Sequence, residues 1–162
     1  MSEVDPVKGV VVRRIVVGRH PTGLVWDQRR GCLYVAEGND DAVAVVDTRS
    51  GTVVGRIAIA PFAERRPGLA PTALALSPDA ATLYVALGGV NAVAAYDVTD
   101  ARVDVVRLRG MIPTGWYPTS IDASSDGRYL AVGSLFGQGS GNGAPRGAGG
   151  VAGVTSMLIA AR

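Results

Sequence analysis

Pro71-Thr72-Ala73-Leu74-Ala75-Leu76-Ser77-Pro78-Asp79, followed by Leu83-Tyr84-Val85-Ala86 and by Asn91-Ala92-Val93-Ala94-Ala95-Tyr96-Asp97, is the stretch whose reading decides the fold. Displaced by 50 positions upstream, the same order occurs as Pro21-Thr22, Leu33-Tyr34-Val35-Ala36, Ala42-Val43-Ala44 and Asp47. A third copy opens at Pro118-Thr119 and is looser by one residue. There Ser125-Asp126-Gly127 replaces Ser77-Pro78-Asp79, and Tyr129-Leu130-Ala131-Val132 falls where the Leu-Tyr-Val-Ala runs fall. Self-similarity at a fixed period is the mark of a repeat architecture.

Each copy divides into short β-rich runs separated by turn residues. In the first these are Gly23 to Trp26, Cys32 to Ala36, Ala42 to Asp47 and Thr52 to Ile59. Arg30-Gly31, Ser50-Gly51, Pro78-Asp79 and Asp126-Gly127 suit tight reversals, and no segment keeps a helical period. Four strands in a unit of about 40 to 50 residues predict blades that bury their faces against the blades beside them. The expected fold is therefore all-β: a β-propeller segment of about three four-stranded antiparallel blades, too few to close a ring. The chain 1–162 reads as one such segment, with an outer strand of a preceding blade at 10–18 and blades at 21–60 and 71–108. A partial blade at 118–162 carries a Gly-rich insertion at 133–152.

The totals agree with a folded chain of one core. Of 162 residues, 48% are hydrophobic and 19% charged, too apolar for disorder. Sixteen Lys+Arg against fourteen Asp+Glu give a net charge of +2, and the cations are scattered rather than gathered along a stripe that could follow phosphates. Nucleic acid is thus not an expected partner. No apolar run reaches transmembrane length, and Met1 to Gly18 shows no signal peptide. Cys32 is the only cysteine, so no internal disulfide can form, and its place in a strand-like run predicts a buried small hydrophobe.

The run from Pro71 to Asp97 resembles the YVTN-type repeat of YncE-like bacterial propellers. Ile112-Pro113-Thr114-Gly115-Trp116-Tyr117-Pro118-Thr119 and the Gly-rich stretch after Val132 resemble, more particularly, the propeller part of large proteins that join such repeats to an alkaline-phosphatase-like phosphoesterase domain. The resemblance implies a periplasmic or secreted setting. It carries no phosphatase metal ligand onto these residues, and any catalysis would reside in a linked domain.

In a propeller the loops from strand two to three, and from strand four to the next blade, share one face. The elaborated loops expected here, Ala60 to Ala70, Arg109 to Tyr117 and Gly133 to Ala152, all belong to those classes, so that face is the candidate binding site. Its candidate side chains are His20, Asn39, Asp40, Arg65, Arg66, Asn91, Trp116, Tyr117, Phe136, Asn142 and Arg146. Each also has a plainer reading. His20 lacks a second imidazole or carboxylate cluster and fits a loop residue, so no metal site is expected. Trp116 and Tyr117 fit a wedge between blades, and Arg65 and Arg66 a solvated pair.

Gly147-Ala148-Gly149-Gly150-Val151-Ala152 matches the glycine-rich dinucleotide spacing, but no helix or βαβ unit accompanies it, so the stretch is read as a mobile loop and no cofactor is expected. No catalytic motif occurs, and Asp47 and Asp97 recur at one repeat position, as turn caps do. The expected function is a non-catalytic scaffold binding a small molecule or protein. Its flanking partners are the missing blades or a second copy of the chain. The alternatives are part of a lactonase-like propeller hydrolase and a half propeller that closes by homodimerisation.

Overall fold

The computed structural model describes residues 1–64, 67–99 and 106–136, and the backbone of a further strand at Thr155–Ala160. The first hairpin is β1 (Ser2–Asp5) with β2 (Val10–Arg14). Three sheets follow in chain order. The first holds β3 (Pro21–Asp27), β4 (Cys32–Glu37), β5 (Ala42–Asp47) and β6 (Thr52–Ala58), and the second β7 (Pro71–Leu76), β8 (Thr82–Leu87), β9 (Ala92–Asp97) and β10 (Arg107–Pro113). The last contains β11 (Pro118–Ala123), β12 (Tyr129–Ser134) and β13 (Thr155–Ala160). All pairings are antiparallel between consecutive strands. One turn of 3₁₀-helix spans Gly88–Val90.

The strands alternate their side chains between the two faces of each sheet, and the 50-residue displacement keeps that parity from copy to copy. Cys32, Tyr34 and Ala36 of β4 face forward and pack with Leu74, Leu83, Val85 and Leu87 of the second sheet in the largest core. Val35, with Ala44 and Val46, faces backward and packs with Ile15 of the N-terminal hairpin region. Ala86 and Val93 face forward onto Val132 of the third sheet. The core thus lies between sheets, as in stacked blades, and each sheet needs a neighbour on both faces.

The Pro-Thr pair that opens each copy joins the innermost strands. Thr22 Oγ1 donates to the carbonyl of Pro71 at 2.8 Å, and Thr72 Oγ1 donates to that of Pro118 at 2.6 Å. The strands meet so closely that a Cβ on Gly23 would stand 2.7 Å from the Cα of Ala73, so glycine is required there. At the opposite end of the blades, Arg30 bridges Asp27 of its own sheet and the carbonyls of Ala80 and Thr99 of the next.

Within the stretch 10–18 the strand is β2, which ends at Arg14 and is the second arm of a hairpin, because Asp5 turns the chain as Asp47 does. The Gly9 amide donates to the Asp5 carbonyl and the Gly51 amide to that of Asp47, both at 2.8 Å. The loop expected at Arg109 to Tyr117 is shorter, because β10 absorbs a bulge between Leu108 and Gly110 and stays paired with β9 through Pro113. The stretch 137–154, with the Gly-rich reading placed on it, lies outside the described residues.

Candidate functional site

The face that carries the loops from second to third strands, and from each blade to the next, is built by one repeated arrangement. The residue before each opening proline has a left-handed backbone: His20 at φ 54°, Ala70 at 50° and Tyr117 at 55°. Their carbonyls accept from the amides of Gly38, Gly88 and Leu135, at 2.9, 2.9 and 3.0 Å. A non-glycine residue in this region is strained unless its surroundings hold it. At Ala70 the hold is two-sided, since its own amide donates to the Asp41 carboxylate at 3.0 Å. Asn91, at φ 55° and ψ 48°, does for Tyr117 what Asp41 does for Ala70: its Oδ1 accepts the Tyr117 amide at 2.9 Å.

The candidate residues therefore fall on two inter-blade junctions. At the first, Arg19 donates its amide and its Nε to the carboxylate of Asp40, each at 2.7 Å, and a second guanidinium nitrogen donates to the Asn39 carbonyl at 3.1 Å. The amide hydrogen bond first, and then the guanidinium, hold the Asp40 carboxyl below the usual carboxylate range. His20 is exposed and its ring lies beside Gly38.

Beneath this layer sits a carboxylate the sequence did not single out. Glu37 is 0% exposed and accepts the Gly18 amide at 2.6 Å and the Arg56 guanidinium at 3.0 Å, with Arg56 half-exposed beside it. Its displacement counterpart is Leu87, equally buried. No sequence signal marks Glu37 as internal, because its cation stands 19 residues away on the outer strand.

At the second junction Asn91, Trp116, Tyr117 and Phe136 come together. The Tyr117 and Phe136 rings meet edge to face, with centroids 6.2 Å apart at 63°. The Phe136 amide donates to the Trp116 carbonyl at 3.2 Å. Trp116 is 49% exposed, Leu135 41% and Phe136 56%, so a braced apolar patch faces water here. The Tyr117 ring also covers Gly88, where a Cβ would meet it at 3.0 Å, in keeping with a wedge between blades. Arg65, Arg66, Asn142 and Arg146 lie outside the described residues.

Several polar groups here are committed to structure. Asn91 Oδ1 holds a loop amide and Asp40 is paired, while Asp47 and Asp97 cap turns through Ser50 and Thr99. Among the described residues no group of three His, Cys, Asp or Glu side chains could hold a metal ion.

Stacked four-stranded sheets joined at their innermost strands, with loops gathered at one end, decide the architecture. The chain is a β-propeller segment. No family model matches the sequence, and no curated protein matches it. Solved structures do resemble the segment. The hydrazine synthase of Kuenenia stuttgartiensis superposes with a TM-score of 0.65 at 25% identity, over 81% of this chain and 34% of that one. A functionally unknown protein from Desulfotomaculum acetoxidans gives 0.61 at 15% identity, over 81% and 40%. A putative 6-phosphogluconolactonase from Bacteroides fragilis gives 0.61 at 21%, over 75% and 34%. The segment spans 34 to 40% of the length of these chains. No helix among the described residues is long and apolar enough to cross a membrane.

Proposed function

We propose that this segment is a non-catalytic propeller scaffold that binds a small molecule or a protein on its loop face, within a larger exported protein of the YncE-like or phosphoesterase-linked kind. The observation that supports this most directly is the exposed patch of Trp116, Leu135 and Phe136 beside Tyr117, fixed by backbone hydrogen bonds that continue the β11–β12 pairing and by the Asn91 carboxamide of the preceding blade. Rigid, exposed aromatic side chains give large contact area at low ordering cost, which suits binding. Asn91 beside them, and Asp40 at the neighbouring junction, serve as braces, which fits a scaffold better than acid-base chemistry.

The test is amide-detected NMR of the segment against a set of small aromatic, sugar and carboxylate fragments and short apolar peptides. Saturable shifts should centre on Trp116, Tyr117 and Phe136 and vanish in Trp116→Ala/Phe136→Ala. Shifts centred elsewhere, or lactone hydrolysis lost in His20→Ala, would refute the reading.

A further inference from the structure

The backward face of the first blade is only half covered. The hairpin β1–β2 lies over its outer half, held by Arg13, whose guanidinium donates to the carbonyls of Thr48 and Arg49. Over the inner half, Leu24 is 55% and Trp26 58% exposed. They line an apolar groove of about 230 Å³ with Met1, Ile15, Leu33 and Val46. Among the described residues, no strand pairs with the edge of β1 turned away from β2.

The repeat itself identifies what fits there. Leu74, the counterpart of Leu24, is 6% exposed and packs with Cys32, Tyr34 and Ala36 of β4. Leu76, the counterpart of Trp26, packs against the same cluster with Val25 of β3. What covers this position one blade later is thus an inner pair of antiparallel strands. The hydrogen bonds agree. The carbonyls of Pro71 and Pro118 each accept the threonine hydroxyl of the preceding blade, whereas Pro21 is exposed. The hairpin completes the pattern, since its Asp5-to-Gly9 turn repeats Asp47 to Gly51 and makes β1 and β2 the third and fourth strands of a blade.

We propose that this groove is a docking site for a two-stranded β-hairpin that supplies the first and second strands of that blade. Its second strand pairs antiparallel with the free edge of β1. A threonine at the start of its first strand donates to the Pro21 carbonyl, and small apolar side chains on its forward face cover Leu24 and Trp26. A second copy of the chain is the poorer occupant. Its third sheet already has β13 in the third-strand place that β1 would take, and Asp122 and exposed Ala131 lie on the strands it would offer. The proposal rests on the repeat geometry and is independent of loop-face binding.

The probe is a synthetic peptide of residues 71–87, an inner strand pair of this same chain that contains no tryptophan. In Trp116→Phe, Trp26 is the sole indole. Added peptide should shift Trp26 emission to the blue saturably and slow amide exchange in Ser2–Asp5 at least tenfold. A peptide carrying Thr72→Val should bind about five to ten times more weakly, and Leu24→Glu, at an exposed position, should abolish binding while leaving the fold intact. Three results would overturn the proposal: no protection of β1 at saturating peptide, equal binding of a scrambled peptide, or protection of β1 that rises with protein concentration alone, which would assign the groove to a second copy.

Discussion

Leu24 and Leu74 form a matched pair: same residue, same place in the repeat, one with its backward neighbour and one without. Truncation of each to alanine measures the open face directly. At Leu74, 6% exposed, the change removes about 2 kcal/mol of burial and leaves a cavity against Tyr34 and Leu87, for a total of about 3 kcal/mol. Leu24 is already 55% exposed, so less than half of that burial is at stake and no closed cavity forms. Its cost should be about 0.5 to 1 kcal/mol. The expected gap of about 2 kcal/mol is more than tenfold in the folding equilibrium. Urea unfolding followed by circular dichroism and by tryptophan emission reads it as a shift in midpoint at constant slope. Equal losses for Leu24→Ala and Leu74→Ala would mean that the backward face of the first blade is covered in solution, and the open-face reasoning would fail.

Glu37→Ala should cost about 3 kcal/mol, because it leaves a cavity at a fully buried position and takes the acceptor from the Gly18 amide, while the half-exposed Arg56 turns to water. Glu37→Leu, which installs the residue of the next blade and fills that space, should cost about 1 kcal/mol; chemical denaturation separates the two. Acid should unfold the segment progressively below about pH 4. Asp97 is held well below the ordinary carboxylate range by the Thr99 hydroxyl, the Thr99 amide and Arg109, and Asp47, Asp79 and Asp126 are lowered by similar turn hydrogen bonds. A lowered folded value stabilises above the unfolded pKa and is lost as pH falls through the folded one. Melting temperatures recorded from pH 2 to 6 should therefore differ by a constant amount for Asp97→Asn and the unaltered chain above about pH 4 and approach each other as pH falls toward 2.

The parts of the fold legible in the sequence are those the repeat writes twice. Leu-Tyr-Val-Ala at 33–36 and 83–86 fixes both the strands and their two-faced packing, because equivalent positions in copies with the same strand pairing face the same way. The first hairpin was harder to see: Asp5 and Gly9 carry the signal of Asp47 and Gly51, but the residues between and around them differ. The length of β10 was hidden for another reason, since a bulge near Gly110 lets a strand run on through residues that resemble a loop. At the loop face, chemistry-bearing residues could be named but their commitments could not. Whether Asn91 reaches for a ligand or for the Tyr117 amide depends on a left-handed turn that asparagine tolerates but does not require. Glu37 was missed because burial of a carboxylate depends on a cation from a distant strand.

The joint made by Thr22 and Thr72 has a consequence for how such an array grows. Each copy of the unit carries a donor at its leading threonine and an acceptor at the proline just before it, so duplication of the segment duplicates both halves of the connection at once. A newly copied blade would align with its neighbour without any further change in sequence, and the number of blades can drift while the spacing between them stays fixed.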